Sequence, residues 1–213
     1  MERARFIVAG VIGSATKWLA QALRENTSIE PRQIVHEWFS DKLYDALDAW
    51  PSDTPLCGSV GHDYFWMEQI QQLMPETKWA FIWRTPIDQI GSMLRKSWRH
   101  VRLRSPDAIP GFATKAAIRR WITLEAMLEQ AETLGIELTH WHMDYYTTPD
   151  GLSELLGTLV PQEYRTSLIA LPSPTNVSRP VPFVVDAQTE TQLTERFNSF
   201  TRVKAAYDAA RRP

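Results

Sequence analysis

The first 26 residues constrain the fold most, because they have the pattern of a buried strand, a tight turn and a helix. Residues 5–11 form an almost uninterrupted apolar run, which is typical of a strand buried on both faces of a sheet. The run includes Gly10, and an amphipathic helical pattern follows over residues 16–26. A strand, a turn and a helix in this order predict an α/β protein.

A second apolar run, residues 78–83, predicts another buried strand, and Arg84 follows it directly. A third strand is expected within residues 136–146, whereas residues 33–39 are either the edge of a strand or a loop. Further helices are predicted over residues 41–50, 65–73, 86–99, 113–134, 149–159, 161–170 and 190–210. The pattern predicts a single domain over residues 1–213, with three layers: a central, mainly parallel sheet and helices on both sides.

Composition excludes several classes of function. The chain has 23 Lys and Arg against 25 Asp and Glu, which argues against a nucleic-acid-binding protein. The single cysteine, Cys57, excludes an internal disulfide and a cysteine-rich zinc site, and it favours the cytoplasm. No apolar stretch approaches the roughly 18 residues of a membrane span. Charge is concentrated only locally, since residues 84–104 carry six basic residues against Asp88.

The segment that follows the first strand, residues 10–19, combines the features of an anion site. A turn between a strand and a helix exposes backbone N–H groups at the positive end of the helix dipole. Ser14 and Thr16 add hydroxyl donors, and Lys17 adds a full positive charge. An ordinary strand–helix turn with a capping threonine is the alternative. The nucleotide P-loop pattern G-x-x-x-x-G-K-[S/T] does not fit, because counting from Gly10 places its lysine at Thr16.

Arg84 stands at the carboxyl end of a predicted buried strand, where α/β folds place ligands. Its planar guanidinium suits phosphate oxygens, and the hydroxyl of Ser92, eight residues later, can supply one more donor. Three of the neighbouring basic residues are explained more simply as a solvated helix face: Arg95, Lys96 and Arg99. A phosphate-binding function therefore depends on Arg84 rather than on the run of charges.

Together the two segments resemble the sulfotransferase superfamily, whose enzymes use 3′-phosphoadenosine 5′-phosphosulfate. The family's first loop has the form G-x-P-[R/K]-S-G-T-T-W-L. It matches this sequence in register at Gly10, Ser14, Thr16, Trp18 and Leu19. The family's second motif is an arginine at the end of a strand, a proline two residues later and a serine eight residues later. It matches at Arg84, Pro86 and Ser92.

The resemblance implies a sulfotransferase-like α/β fold with a P-loop-like nucleotide site. The implied reaction moves a sulfuryl group to a hydroxyl or amine of a small-molecule or glycan acceptor, without a metal, and leaves adenosine 3′,5′-bisphosphate. Neither a nucleic-acid partner nor a particular oligomeric state is indicated. The implied cofactor-binding residues lie in the first loop, in the second motif and in a late proline-rich loop: Gly13, Ser14, Ala15, Thr16, Lys17, Trp18, Arg84, Ser92 and Arg179.

The same resemblance supplies candidates for the base that takes the acceptor's proton. Glu37 matches the glutamate of the family's K-E-x-x-F-F segment, and His36 stands at its lysine position. His62 lies in the stretch where family members place acceptor-site residues. The basic residue of the family's first loop falls at Gly13 here, so Lys17 is the candidate that would supply the missing charge.

Two other functions remain open at this point. One is a nucleotide-binding relative of the same fold that has no catalytic activity. Glycine at position 13, where the family has a basic residue, favours this function. The other is a P-loop kinase of a small metabolite, which would need Mg²⁺ and ATP.

His140 and His142 would share one face of a strand, but no third metal ligand is evident, so polar rings on a half-buried strand are expected. Residues 143–146 resemble the family's Y-E-D-L strand end.

Overall fold

The computed structural model describes residues 4–11, 14–28, 32–36, 54–61, 66–92, 108–173 and 187–211. Five strands in these ranges form one sheet in the order β2-β3-β1-β4-β5. Their bounds are β1 (Ala4–Gly10), β2 (Arg32–His36), β3 (Leu56–Gly61), β4 (Lys78–Trp83) and β5 (Leu138–His142). Every pairing among these strands is parallel, so all five end at the same side of the sheet, which we call the carboxyl edge.

Helices cover both faces of this sheet. Their bounds are α1 (Thr16–Glu25), α2 (Met67–Leu73), α3 (residues 86–92), α4 (Ala108–Leu134), α5 (Met143–Tyr146), α6 (Pro149–Leu159), α7 (Ala187–Asn198) and α8 (Thr201–Ala210). Helices α1 and α6 pack on one face, and α2, α4, α7 and α8 pack on the other, which gives the three layers that the sequence predicts. Among the helices described, none is both long enough and apolar enough to cross a membrane.

Strand β1 shows why its apolar run is uninterrupted. Phe6 and Val8 belong to the core that contains α1 and α6, while Ile7 and Ala9 belong to the core on the opposite face. All four side chains are buried. Successive side chains of a strand point to opposite faces, so a central strand covered on both sides has to be apolar at every position.

Strand β3 is absent from the sequence predictions, because Leu56–Gly61 has two glycines and little β-branched character. Its formation depends on a close approach by β1. A Cβ added at Gly58 would lie 2.1 Å from the Cζ atom of Phe6, so the ring occupies the space that a side chain would need. The residue that weakens the local strand pattern is therefore required by its neighbour.

The strand predicted within residues 136–146 is shorter than expected. It ends at His142, whose ring nitrogen Nδ1 accepts the Asp144 N–H at 3.4 Å and so begins a helix. Residues 143–146 are therefore helical, and the interpretation of this stretch as the end of a strand is wrong. The imidazole acts as an N-cap, and histidine is not among the usual capping residues.

The helix predicted over residues 161–170 is also wrong, since only the single 3₁₀ turn Gln162–Tyr164 forms there. The Asn26 side chain binds the backbone of the segment that follows. Its Nδ2 donates to the Ala170 carbonyl at 2.7 Å, and its Oδ1 accepts the Ala170 N–H at 2.6 Å. These bonds satisfy polar groups that a helix would otherwise have paired.

The single helix predicted over residues 190–210 is two helices, α7 and α8. The carboxylate of Glu125, on α4, accepts the N–H groups of Arg202 at 3.1 Å and Val203 at 3.0 Å. A carboxylate at these free N–H groups caps the start of α8. The helix predicted over residues 41–50 lies outside the described residues, as does the end of the one predicted over residues 86–99.

Candidate functional site

The two motif segments leave the sheet side by side. Gly10 is paired with Ile82, and one residue further on the Val11 N–H donates to the Ile82 carbonyl at 3.3 Å. Arg84 follows two residues after Ile82. Because β1 and β4 are parallel neighbours, the turn into α1 and the arginine emerge together at the carboxyl edge.

The turn between β1 and α1 is held from inside by Ser14, which is fully buried. The Ser14 N–H and hydroxyl both donate to the Val11 carbonyl, at 3.1 Å and 2.6 Å. A Cβ added at Gly10 would lie 2.5 Å from Cγ1 of Ile82 and 2.7 Å from the Ser14 hydroxyl oxygen, so only glycine leaves room for this arrangement. The Ser14 hydroxyl, expected to be an anion donor, here stabilises the shape of the turn.

Ala15 carries the sharpest change of direction, with φ 57° and ψ 33° in the left-handed region. This conformation costs a residue with a Cβ about 1–2 kcal/mol. Ala15 therefore holds a backbone conformation that glycine adopts more easily. Helix α1 begins directly afterwards, and the Leu19 N–H donates to the Ala15 carbonyl at 2.9 Å.

The first turn of α1 holds two of the predicted site residues. The hydroxyl of Thr16 lies 2.9 Å from Nε2 of His36, the last residue of β2, so these two candidates are within hydrogen-bond distance. Lys17 is exposed in the same turn. The N-cap residue of α1, Ala15, has no side chain that could accept a hydrogen bond, and the first turn has no acidic residue, so the first N–H groups suit an anion.

The Tyr146 hydroxyl binds the turn between β1 and α1, although the sequence did not mark it as a site residue. It is fully buried and donates a short hydrogen bond to the Ser14 carbonyl. Burial raises the pKa of Tyr146, and the nearby positive charge of Arg84 lowers it. Arg84, which follows β4, is half-buried. A polar aromatic residue four positions after the end of a strand at the carboxyl edge is the signal that could have identified Tyr146.

Helix α3 fixes the position of Ser92 relative to Arg84. The hydroxyl of Thr85 donates to Oδ2 of Asp88 at 2.6 Å, and the Asp88 N–H donates to the Thr85 hydroxyl at 3.2 Å. The Thr85 hydroxyl therefore caps the start of α3, with Pro86 in the first turn. Ser92 lies about two helical turns after Arg84 and is buried. The capped start of α3 therefore holds Ser92 in a fixed position relative to Arg84.

Trp18 connects α1 to a distant part of the chain. Its indole N–H donates to the Pro172 carbonyl at 2.9 Å, and its ring centroid is 6.4 Å from that of Tyr146. This contact brings residues 171–173 to the first turn of α1. Four predicted site residues lie outside the described residues: Gly13, Glu37, His62 and Arg179.

The chain has a sulfotransferase-like fold. It superposes on the crystal structure of a sulfotransferase from Alicyclobacillus acidocaldarius with a TM-score of 0.64, and the match covers 96% of both chains at 12% sequence identity. No family model matches the sequence, and no curated protein matches it. The structural likeness confirms the predicted fold class, a three-layer α/β arrangement around a parallel sheet.

In this fold, the two histidines predicted to share a face of β5 pack among aromatic rings. The indole N–H of Trp83 donates to Nδ1 of His140 at 3.1 Å, and the ring centroid of His142 is 5.7 Å from that of Tyr207. Burial lowers the pKa of His140 to about 4 and lowers that of His142 as well. The ranges described contain no group of three potential metal ligands. We call Trp83, His140, His142 and Tyr207 the histidine–aromatic cluster.

The donors at the carboxyl edge determine which ligands it can bind. The α1 N–H groups, Thr16 and Lys17 form one set, and Arg84 with Ser92 forms the second. Arg84 is permanently charged, and every other member can donate a hydrogen bond. Donors from two neighbouring strand ends suit a ligand with two separate anionic groups.

Proposed function

We propose that the protein is a sulfotransferase that moves a sulfuryl group from 3′-phosphoadenosine 5′-phosphosulfate to a hydroxyl or amine of a small-molecule or glycan acceptor. One observation carries the proposal: the β1 turn and Arg84 emerge together at the carboxyl edge, because β1 and β4 are parallel neighbours. Such a pair fits an adenosine with anionic groups at its 3′ and 5′ positions. The sulfotransferase-like fold supports the same conclusion.

In this proposal the two sets of donors divide the ligand between them. The N–H groups at the start of α1 and the Thr16 hydroxyl bind the 5′-phosphosulfate, which supplies the sulfuryl group. Lys17 adds the charge that the family's loop places at the residue corresponding to Gly13. Arg84 and Ser92 bind the 3′-phosphate. Charge that develops on the leaving phosphate is stabilised by donors already in place.

The acceptor must lose its proton as it attacks, so the site needs a base. His36 already lies 2.9 Å from the Thr16 hydroxyl, so we assign it the role of orienting Thr16. Glu37 follows His36 in sequence, and His62 follows Gly61 at the end of β3. Glu37 and His62 are therefore the two candidates for the base.

Ligand binding without a metal separates the proposal from the kinase alternative. Thermal unfolding is measured in EDTA with adenosine 3′,5′-bisphosphate, and separately with Mg-ATP. The proposal expects the bisphosphate to raise the melting temperature, because it binds only the folded state. Stabilisation by Mg-ATP alone would refute the proposal in favour of the kinase.

Turnover separates an enzyme from a relative that only binds the nucleotide. Release of adenosine 3′,5′-bisphosphate is followed with a panel of phenols, alcohols and amines. We expect turnover with at least one class, and Lys17→Ala to lower it at least about tenfold, since one charge-assisted contact is lost. Lys115→Ala, on the exposed face of α4, is the control. Binding without any turnover would favour the non-catalytic relative, and full activity of Lys17→Ala would exclude the role of Lys17.

A further inference from the structure

Tyr146 ends α5 and is completely buried, yet its hydroxyl reaches the turn between β1 and α1. There it donates to the Ser14 carbonyl. Ser14 is buried as well, so no water is at hand to replace the bond if the hydroxyl is removed. A buried carbonyl without a donor is costly, so this bond fixes the direction of the peptide unit that joins Ser14 to Ala15.

The direction of that peptide unit decides where the next N–H points. In a trans peptide the C=O and N–H groups point in opposite directions. Since the Ser14 carbonyl is directed into the core, at Tyr146, the Ala15 N–H is directed away from it. Ala15 is left-handed, with φ 57°, and a helix follows. Such a sequence of conformations turns successive N–H groups towards one side, which is the geometry of an anion-binding nest.

We infer that Tyr146 is a positioning residue for the anion site: its hydroxyl orients the Ser14–Ala15 peptide so that the N–H groups at the start of α1 face the 5′ group of the bound nucleotide. The inference rests on the proposed function. Within it, Tyr146 acts on the 5′ end of the ligand only, because its hydroxyl is bonded to the β1 turn. Arg84, at the end of the neighbouring strand β4, serves the 3′ end.

The test compares Tyr146→Phe with Tyr145→Phe. Both changes keep the ring and remove one hydroxyl, but the Tyr145 hydroxyl donates to Glu154 at 2.6 Å, on the exposed surface. Dissociation constants for adenosine 3′,5′-bisphosphate and adenosine 3′-monophosphate are measured by titration calorimetry.

We expect Tyr146→Phe to weaken binding of the bisphosphate about tenfold and to leave binding of the 3′-monophosphate within twofold, because only the 5′ group loses aligned donors. Tyr145→Phe should change neither. An equal loss for both nucleotides would indicate a general structural role and overturn the inference. Unchanged binding of both would overturn it as well.

Amide hydrogen exchange in the free protein provides a measurement that needs no nucleotide. We expect Tyr146→Phe to speed exchange at least about tenfold at Ser14 and Leu19, whose N–H groups bond the Val11 and Ala15 carbonyls, and Tyr145→Phe to leave it unchanged, since only the first change frees the turn. If the wild-type protein bound neither nucleotide, the proposed function would fail, and faster exchange would still support the positioning of the turn. Unchanged exchange at Ser14 and Leu19 would overturn the inference on its own.

Discussion

The ends of β1 and β5 lie at the same edge of one sheet, and each leads into a helix, but they present different chemistry. After β1, the left-handed Ala15 stands at the N-cap of α1 and has no side chain that can bond the helix N–H groups. After β5 the His142 ring itself accepts the Asp144 N–H and caps α5. A shared topology thus leaves helix N–H groups available for an anion only where the chain's own side chains do not occupy them.

What packs beside each strand end adds to the difference. Beside β1 stand Arg84 and the Tyr146 hydroxyl, which bring a charge and fix the backbone. Beside β5 stand Trp83 and Tyr207, whose rings cover the histidines of the histidine–aromatic cluster. The first region should therefore govern ligand binding, and the second should govern stability. The predictions below test that division.

Arg84→Gln should have the largest effect, and its effect should be on binding. Loss of the charge removes charge-assisted hydrogen bonds to the 3′-phosphate, so the dissociation constant for adenosine 3′,5′-bisphosphate should rise about 100-fold. Titration calorimetry measures it, with Arg119→Gln on the exposed face of α4 as the control. A change below about threefold for Arg84→Gln would mean that the arginine does not contact the ligand.

His140 should make stability depend on pH. Burial lowers its pKa to about 4, from the ordinary 6.5, so the folded protein holds the ring neutral while the unfolded chain binds a proton. The contribution of His140 to the free energy of unfolding is therefore complete above pH 6.5 and is lost as the pH falls towards 4. Between pH 7.5 and 4.5 we expect a loss of about 2–3 kcal/mol in the free energy of unfolding, measured with urea.

The matched variant is His140→Gln, because its side-chain carbonyl can still accept the Trp83 N–H but does not titrate. The difference in stability between the two pH values should shrink by about 2 kcal/mol, while nucleotide binding at neutral pH stays unchanged. An unaltered pH dependence would show that the His140 ring is not held neutral by burial. A change in nucleotide binding would contradict the division into one region that governs ligand binding and another that governs stability.

Ala15→Gly should have the smallest effect and the opposite sign. Removing the Cβ relieves the left-handed strain, so the free energy of unfolding should rise by about 1 kcal/mol. Gly135→Ala is the reverse experiment: Gly135 has φ 65°, and an added Cβ would meet no atom within 4 Å, so it should cost about the same amount. Destabilisation by Ala15→Gly would argue against the left-handed turn.

The local sequence pattern was enough to predict a helix or strand wherever the residues of that element determine it. Strand β4 and helix α6 have the predicted bounds, since a continuous apolar run and a Pro at the start of a helix are local signals. Strand β3 could not be predicted, because Gly58 weakens the pattern and only the Phe6 ring explains it. The break between α7 and α8 could not be predicted either, because Glu125, whose side chain caps α8, lies 77 residues before Arg202.

The candidate site divides in the same way. Residue types suited to an anion, and their spacing within each of the two segments, were present in the linear chain, so Thr16 and Arg84 could be named as candidates. That these segments are neighbours follows from the order of the strands, and that Tyr146 holds the first of them follows from a contact between residues 132 positions apart. Periodicity and capping act over a few residues, whereas the meeting of distant groups depends on how the sheet and its helices pack.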